Sequence, residues 1–151
     1  MTVIKNISSR EVARRFKVPF STAQGEKTAM RSIIVRVDLS DGSSGLGECP
    51  TSLSLRNETI QTIASTLRSA SRKMRGLAIE EYDSAIAQLR KAHPSHPMTI
   101  SGLEVALFRA SLVNKGISEH VHWGGKKGGC QTDITIPFVL DKAILVRWIN
   151  Y

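Results

Sequence analysis

The chain has 151 residues, of which 41% are hydrophobic, and this is enough for one domain with a single core. The longest apolar runs, such as Ala143–Val146, are far shorter than the roughly 20 residues that a membrane-spanning helix needs. Met1–Glu11 also lacks the apolar segment of a secretory signal peptide. We therefore expect a cytoplasmic protein that does not enter a membrane, and the composition excludes coiled-coil, collagen-like and disordered chains.

The chain has a net positive charge, but its basic residues are dispersed along the sequence. A net charge of +8, from 21 basic and 13 acidic residues, permits binding to phosphate-rich partners. However, only 5% of the residues are aromatic, which leaves few surfaces on which nucleic-acid bases could stack. The charge therefore indicates solvated surfaces, and nucleic acid is not the expected partner.

The first fifty residues have the alternation that is typical of β-strands. The predicted strands are Thr2–Ile7, Val12–Val18, Ser32–Leu39 and Ser44–Cys49. We expect Pro19-Phe20 to end the first stretch, Asp41-Gly42 to form a hairpin turn and Pro50 to stop the last strand. Gly45 and Gly47 predict a close backbone approach or a bulge. The outcome is a meander of about three antiparallel strands.

The next part of the chain has a helical period, and three helices are predicted. Asn57 is expected to cap the first helix and Gly76 to end it; the second lies near Glu80–Lys91 and is broken by Pro94 and Pro97. Ser101–Glu104 resembles a capping box that opens the third helix, which ends at Gly116. The predicted inward-facing residues are Ile60, Ile63, Ala64, Leu67 and Met74, then Tyr82, Ala85, Ile86 and Leu89, then Leu103, Ala106, Leu107, Ala110 and Val113. Strands followed by a helical bundle give an α+β fold, and Thr132–Phe138 returns to strand character.

Three patterns that resemble binding sites are incomplete. The glycine-rich segment 124–129 lacks the spacing of a phosphate-binding loop, so we interpret it as a connector. His120 and His122 have no third ligand nearby and are interpreted as surface or packing residues. Cys49 and Cys130 form neither a disulfide framework nor a zinc motif. These patterns therefore predict no metal site.

Two charged residues stand in unusual positions. Glu48 lies near a strand end between Gly47 and Pro50, which is typical of a firmly held binding group but equally of an exposed hairpin residue. No second residue completes a catalytic triad or carboxylate pair with it. Arg109 interrupts the apolar third helix, so its charge needs either a carboxylate partner or a route to solvent.

Taken in order, these features resemble the N-terminal capping domain of the enolase superfamily, in its muconate-lactonizing, dipeptide-epimerase and mandelate-racemase branches. The residues that carry the resemblance are Pro19-Phe20 with Gly25, Ile34–Val37, Asp41-Gly42, Gly45–Glu48 with Pro50, Glu58-Thr59, Leu103–Phe108, and Gly124-Gly125 before Thr132-Asp133. The resemblance implies a capping domain over residues 1–125. Residues 126–151 would then be a connector, the first strand of an incomplete barrel and a divergent tail.

The resemblance implies the domain arrangement of this superfamily, in which a meander packed on a helical bundle covers the mouth of a (β/α) barrel. Two segments, Ser21–Lys27 and Cys49–Leu55, would close the active site and select the substrate, at the barrel face where such sites lie. The implied specificity residues are Ser21, Thr22, Gln24, Lys27, Glu48, Thr51, Leu53 and Leu55.

The implied chemistry is abstraction of a proton α to a carboxylate, in a Mg²⁺-dependent epimerase, racemase, lactonizing enzyme or lyase. The metal ligands and the lysine or histidine base would belong to later barrel strands. Only thirteen residues follow Phe138, fewer than the roughly 30 of one crossover unit. We therefore expect no catalytic residue, metal ligand or cofactor in this chain, which would be inactive alone and need the barrel as its partner.

The chain departs from the superfamily pattern at three places. Arg109 stands where an acidic residue is usual, Glu119–His122 replaces a Pro-Leu pair, and the tail Ala143–Tyr151 does not resemble the first barrel helix. An alternative interpretation is a basic interaction module for nucleic acid or a protein partner, with the aromatic residues Trp148 and Tyr151 as contact residues. In the capping-domain interpretation, uncovered surfaces predict a homo-oligomer.

Overall fold

The computed structural model describes residues 1–126, 128–129, 131–133 and 141–149. Within these ranges the strands are β1 (Ile4–Thr22), β2 (Gly25–Leu39) and β3 (Ser44–Pro50). The helices are α1 (Ile60–Met74), α2 (Tyr82–Ala92), α3 (Pro97–Asn114), α4 (Glu119–His122) and α5 (Lys142–Ile149), with a 3-10 turn at Ile79–Glu81 before α2. Most of the predicted strand Thr132–Phe138, Cys130 and Tyr151 lie outside the described residues.

The three strands form an antiparallel sheet in the order β1-β2-β3, which confirms the predicted meander. The turn between β2 and β3 holds Gly42 at φ +91°, where glycine is favoured, and Asp41 Oδ1 accepts the N–H of Ser43 at 2.9 Å. The helices follow the three strands in the chain and do not alternate with them, so the α+β class is confirmed.

The prediction of two separate strands before Pro19-Phe20 was wrong, because β1 is continuous through that dipeptide. Among the described residues β1 is an edge strand that pairs with β2 alone, and the register shifts between Arg15 and Phe20. A proline lacks an N–H donor but is accepted at an edge or a bulge, and Pro19 lies in this irregular stretch. β1 and β2 therefore extend as a two-stranded ribbon beyond the end of β3, whose pairing with β2 stops at Ser32↔Pro50.

The core lies between the inner face of the sheet and the helices. It is formed by buried residues of all three strands and of α1, α2 and α3, including Ile4, Val35, Val37, Leu39, Ile63, Leu67, Met74, Ile86, Leu103 and Leu107. Most predicted inward positions are buried or packed against this cluster, but Val113 is wrong, since it is 55% exposed near the end of α3. The helical period thus identified the buried faces, but not the place where α3 leaves the core.

A close contact between β3 and α3 explains the predicted role of the strand glycines. A Cβ on Gly45 would overlap the carbonyl oxygen of Ala106, and one on Gly47 would overlap that of Gly102. On the helix side, a Cβ on Gly102 would overlap the carbonyl oxygen of Glu48. The absence of side chains lets the two backbones touch, so the predicted close approach is confirmed.

Two helix starts differ from the predictions. Thr59, not Asn57, caps α1 by accepting the N–H of Thr62, whereas Asn57 donates its amide to the carbonyl oxygen of Ser95 at 2.6 Å. α3 begins at Pro97, so the capping box predicted at Ser101–Glu104 lies inside the helix. The N-terminal N–H groups of α3 are bound instead by a residue distant in sequence, as described below.

The end of the described chain adds the short helix α5. This helix covers most of the tail that does not resemble the superfamily, so that tail has regular structure over Lys142–Ile149. No helix in the described ranges has both the length and the hydropathy needed to cross a membrane.

Candidate functional site

The first segment predicted to select substrate is a tight hairpin tip rather than an open loop. Ser21 and Thr22 are the last residues of β1, and Gly25 already belongs to β2. The Thr22 hydroxyl accepts the N–H of Gln24 at 3.2 Å, and the Ser21 hydroxyl donates to Glu26 Oε2 at 2.9 Å. These local hydrogen bonds fix the direction in which the tip presents its side chains.

The second segment begins with the last two residues of β3, and the chain then has no regular structure from Thr51 to Thr59. Its beginning is anchored on the sheet, because the N–H and the hydroxyl of Thr51 both donate to the carbonyl oxygen of Arg31, at 3.0 and 2.9 Å. Its end is anchored by the N–H of Glu58, which donates to the carbonyl oxygen of Leu55 at 3.1 Å. The partly buried Leu53 and Leu55 lie between the two anchors.

The two segments contact each other directly, and we call the residues that join them the paired-loop site: Gln24, Lys27, Thr51, Leu53 and Ser54. The Lys27 ammonium donates to the carbonyl oxygen of Thr51 at 2.6 Å, and the Ser54 hydroxyl donates to Gln24 Oε1 at 2.5 Å. The methyl groups of Leu53 are at van der Waals distance from the position of a Cβ on Gly25. The hairpin tip and the irregular segment therefore form one continuous surface.

The paired-loop site contains four of the eight residues predicted from sequence and one that the sequence did not indicate. Ser54 was missed because its role depends on Gln24, which is 30 residues away in the chain. Ser21, Thr22 and Leu55 support the site through the local hydrogen bonds described above.

Glu48 lies apart from these contacts. It is exposed on β3, between the buried Gly47 and Cys49, and therefore points to the face of the sheet opposite α3. Its carboxylate forms no hydrogen bond or ion pair with any residue in the described ranges. Its structural position is that of an exposed strand residue near the end of β3.

The chemistry of the paired-loop site suits binding and not proton transfer. It offers an ammonium, an amide and a hydroxyl, but no nucleophile beside a base. Over the described ranges, no three His, Cys, Asp or Glu side chains are grouped so that they could hold a metal ion. The described residues therefore do not fit a Mg²⁺ site, and we derive no catalytic step through a metal here.

Cys49 is the first residue of the second segment and carries a reactive group, but its environment makes it inert. Its side chain is fully buried, and the thiol donates to the carbonyl oxygen of Thr99 at 3.5 Å. Burial, with smaller contributions from the charges of Glu58 and Glu48, raises the pKa of the Cys49 thiol to about 12. The thiolate, which is the nucleophilic form, is therefore suppressed at neutral pH.

His93, His96 and His122 take part in packing or hydrogen bonding. The ring of His122 contacts Phe108 and Trp123 at centroid distances of 5.0 and 4.8 Å. His96 Nδ1 lies 2.8 Å from the hydroxyl of Thr66, and its ring stacks on His93. The contacts of His122 and the exposure of His120 agree with their interpretation as surface or packing residues.

Arg109 has the carboxylate partner that its position in α3 requires. Its Nε donates to Glu119 Oε1 at 2.6 Å, and a terminal N–H donates to the carbonyl oxygen of Leu46 at 3.0 Å. Arg109 and Glu119 are both positions where the sequence departs from the superfamily pattern. The structure therefore joins two departures in one ion pair between α3 and the start of α4.

Comparison with known proteins shows what the chain is similar to. No family model matches the chain. It is 27% identical over 156 residues to an aromatic dipeptide epimerase of Herpetosiphon aurantiacus, an alignment that covers 99% of this chain. The curated relatives include dipeptide epimerases, which agrees with a likeness of this chain to the N-terminal part of enolase-superfamily enzymes. Its superfamily resemblance is thereby confirmed.

Solved structures of the superfamily share the fold. A dipeptide epimerase of Methylococcus capsulatus, complexed with Mg and L-Arg-D-Lys, has a TM-score of 0.84 and 19% identity over 98% of this chain. A dipeptide epimerase of Cytophaga hutchinsonii, complexed with Mg and D-Ala-L-Val, has a TM-score of 0.82 and 22% identity over 91%. The chain spans 44% of the length of the Herpetosiphon relative, and 42% and 38% of these two structures.

Proposed function

We propose that the chain is the capping and substrate-specificity domain of a Mg²⁺-dependent enolase-superfamily enzyme that abstracts a proton α to a carboxylate. The observation that carries the proposal is the paired-loop site. Two segments that the superfamily resemblance assigns to substrate selection are joined by direct hydrogen bonds. Among epimerase, racemase and lactonizing activities, dipeptide epimerisation is favoured because the relatives with the widest coverage carry that name.

The capping role assigns residues 1–125 to the cap and residues 126–151 to the connector and the start of a barrel. The barrel would be the partner of the cap and would carry the Mg²⁺ ligands and the catalytic base. The similar proteins reported above give no support to the alternative of a basic nucleic-acid-binding module.

Lys27 would act by positioning the paired-loop site over the substrate. Its ammonium has three N–H donors, and the structure uses one of them on the carbonyl oxygen of Thr51. The remaining donors suit a carbonyl or carboxylate oxygen, both of which a dipeptide contains. Because Lys27 is partly buried, its charge is screened less by water than that of a fully exposed lysine.

A domain exchange tests the specificity role. This chain would replace the aligned N-terminal part of the Herpetosiphon epimerase, and kcat/KM would be measured for a panel of dipeptides. Exchanging residues 21–27 and 49–55 between this chimera and the parent should move the order of preference among dipeptides toward the donor of the segments. An active chimera whose preference is unchanged by the exchange would contradict the specificity role.

A matched pair of substitutions tests the contribution of Lys27 in the same chimera. Lys27→Met removes the bond to Thr51 and should lower kcat/KM by roughly tenfold, which corresponds to about 1.4 kcal/mol of transition-state binding. Lys5→Met removes the same charge from an exposed residue outside the paired-loop site and should change kcat/KM less than twofold. Equal effects of the two substitutions would argue against a role of Lys27.

The isolated chain tests the need for a barrel. With Mg²⁺ and the same dipeptides in D₂O, we expect no incorporation of deuterium at the α carbon, measured by proton NMR. Measurable exchange would show that the chain contains a catalytic base, and the capping role would have to be abandoned.

A further inference from the structure

A groove runs between β1 and α1, with a volume of about 300 Å³. Its walls are formed by Ile7 and Ser9 of β1 and by Leu67, Arg68, Ser71 and Arg72 of α1. The hydroxyl of Ser71 donates to the carbonyl oxygen of Ile7 at 3.2 Å and ties the two walls together. Ile7 and Leu67 are buried, whereas the two arginines are exposed, so the groove has apolar residues in its depth and positive charge at its mouth.

No carboxylate among the described residues neutralises the charge in this groove. Four other arginines, Arg31, Arg36, Arg90 and Arg109, form ion pairs with carboxylates. Over the described ranges, Arg68 and Arg72 form no such pair. α1 contains no acidic residue, and Glu11 of β1 is bound by Arg31 at 2.6 Å. The groove therefore has two cations and no competing carboxylate.

The four-residue spacing of Arg68 and Arg72 places two positive charges where they can bind one anion together. Residues four apart lie on the same face of a helix, where two like charges repel each other. A bound anion relieves this repulsion, and a guanidinium presents its N–H groups in a fork that fits phosphate oxygens. A phosphate monoester carries a charge of about −1.5 to −2 at pH 7, close to the charge of the two arginines together.

We propose that the groove between β1 and α1 binds a phosphate monoester with a small apolar body. Arg68 and Arg72 hold the phosphate, and the apolar body lies against Ile7 and Leu67. A volume of about 300 Å³ is at the lower end of ligand sites, which suits a body no larger than a single ring. Ser9 precedes Ser21 of the hairpin tip by twelve residues of β1, or roughly 40 Å of extended chain, so this site is separate from the paired-loop site. The proposal is independent of the proposed function.

Titration of the ¹⁵N-labelled chain with phenyl phosphate, followed by NMR, tests the site. We expect the amide signals of Ser9, Arg68 and Ser71 to shift with saturation at millimolar concentration. Inorganic phosphate should bind at least several-fold more weakly, because it lacks the apolar body, and phenol should not saturate the site because it lacks the charge.

Substitutions that each remove one positive charge distinguish binding in this groove from general attraction to a basic protein. Arg68→Gln and Arg72→Gln should each raise the Kd for phenyl phosphate at least tenfold. Lys73→Gln removes the same charge from the same helix, but Lys73 does not line the groove. The Kd of this variant for phenyl phosphate should therefore change less than twofold. The spectra of the free variants show whether each remains folded, which is expected because both arginines are exposed.

Three results would overturn the proposal. The first is the absence of saturable shifts at 10 mM phenyl phosphate, roughly the weakest binding of interest. The second is an equal effect of the groove and control substitutions, which would show non-specific attraction. The third is equal affinity for phenyl phosphate and inorganic phosphate, which would exclude the apolar part of the ligand.

Discussion

Glu58 is a buried carboxylate whose surroundings explain its position. It is only 2% exposed, and its two oxygens accept the N–H groups of Met98 and Thr99, both at 2.8 Å, and the hydroxyl of Thr99 at 2.5 Å. Met98 and Thr99 lie in the first turn of α3, where N–H groups have no partner within the helix and a negative charge is favoured. Glu58 thus caps a helix that begins 39 residues after it.

Replacing Glu58 tests this cap. Glu58→Gln removes the charge and places an N–H₂ group against N–H donors, so the free energy of unfolding should fall by about 2 to 3 kcal/mol. Glu104→Gln is the control, because Glu104 forms only a surface pair with Arg90, and it should cost less than about 1 kcal/mol. Urea unfolding at pH 7 measures both, and equal losses would argue against the cap.

Cys49 shows how burial at one residue links stability to pH. The pKa of its thiol is raised from 9.0 to about 12 in the folded chain, mainly by burial. Because the pKa is higher in the folded state than in the unfolded state, the thiol contributes to the free energy of unfolding. This contribution is complete below pH 9 and is lost as the pH rises from about 9 to 12.

The comparison of the natural chain with Cys49→Ala measures this contribution. The difference in the free energy of unfolding between the two should be largest below pH 9 and should shrink above it, with a slope approaching 1.4 kcal/mol per pH unit. Urea unfolding at pH 8, 9 and 10 gives the difference, in which the titration of all other groups cancels. A difference that is the same at every pH would contradict a raised pKa.

At the scale of elements, the contact of β3 with α3 depends on glycine. Gly45 and Gly47 of the strand face Gly102, Ala106 and Ala110 of the helix, and no Cβ fits at the three glycines without moving backbone atoms. Rigid backbones cannot yield as a flexible side chain can, so an added methyl group must push the helix away from the sheet.

Gly47→Ala is therefore expected to lower the free energy of unfolding by about 3 kcal/mol. Gly128→Ala adds the same methyl group in open space at a described position of the connector and should change stability by less than about 0.5 kcal/mol. Thermal unfolding of the two variants provides the comparison. A small loss for Gly47→Ala would mean that β3 and α3 separate without cost.

The element boundaries show the limit of local sequence patterns. Thr59 caps α1 and Pro97 begins α3, whereas local capping patterns favour Asn57 and Ser101, because these helix starts depend on partners that are distant in the chain. The side chain of Asn57 is engaged by Ser95, and the start of α3 is completed by Glu58. Both partners lie about 40 residues away in the chain.

At the scale of the whole molecule, exposed apolar residues predict self-association. Leu46, Val113, Val121 and Trp123 are among the exposed large apolar side chains of the described chain, and Trp123 is 73% exposed. Exposed apolar groups of this kind are typical of surfaces that a partner covers. In the proposed enzyme that partner would be another domain or subunit.

Sedimentation velocity of the isolated chain at about 50 μM is expected to show a dimer or a larger species, with an association free energy near −6 kcal/mol or stronger. Trp123→Ser should shift the distribution toward the monomer. Phe16→Ser, which removes an aromatic ring of 39% exposure from β1, is the control and should leave the distribution unchanged. A monomer at this concentration would contradict the prediction.

The sequence by itself indicated the fold class, most of the elements and the superfamily resemblance. Alternation in β2 and β3, the Asp41-Gly42 turn and the helical periods of α1 to α3 are local patterns, and each one specifies a local structure. The order of short motifs along the chain was sufficient for the superfamily resemblance, and a relative with 27% identity over 99% of this chain agrees with it.

Only the tertiary structure decided which distant residues meet. Gln24 with Ser54, Lys27 with Thr51, Glu58 with Thr99 and Arg109 with Glu119 join segments whose separation no periodicity encodes. These contacts depend on how the sheet and helices pack, because packing brings together side chains that are remote in the chain. The elements of this protein are therefore encoded locally, whereas the paired-loop site and the groove between β1 and α1 are products of its packing.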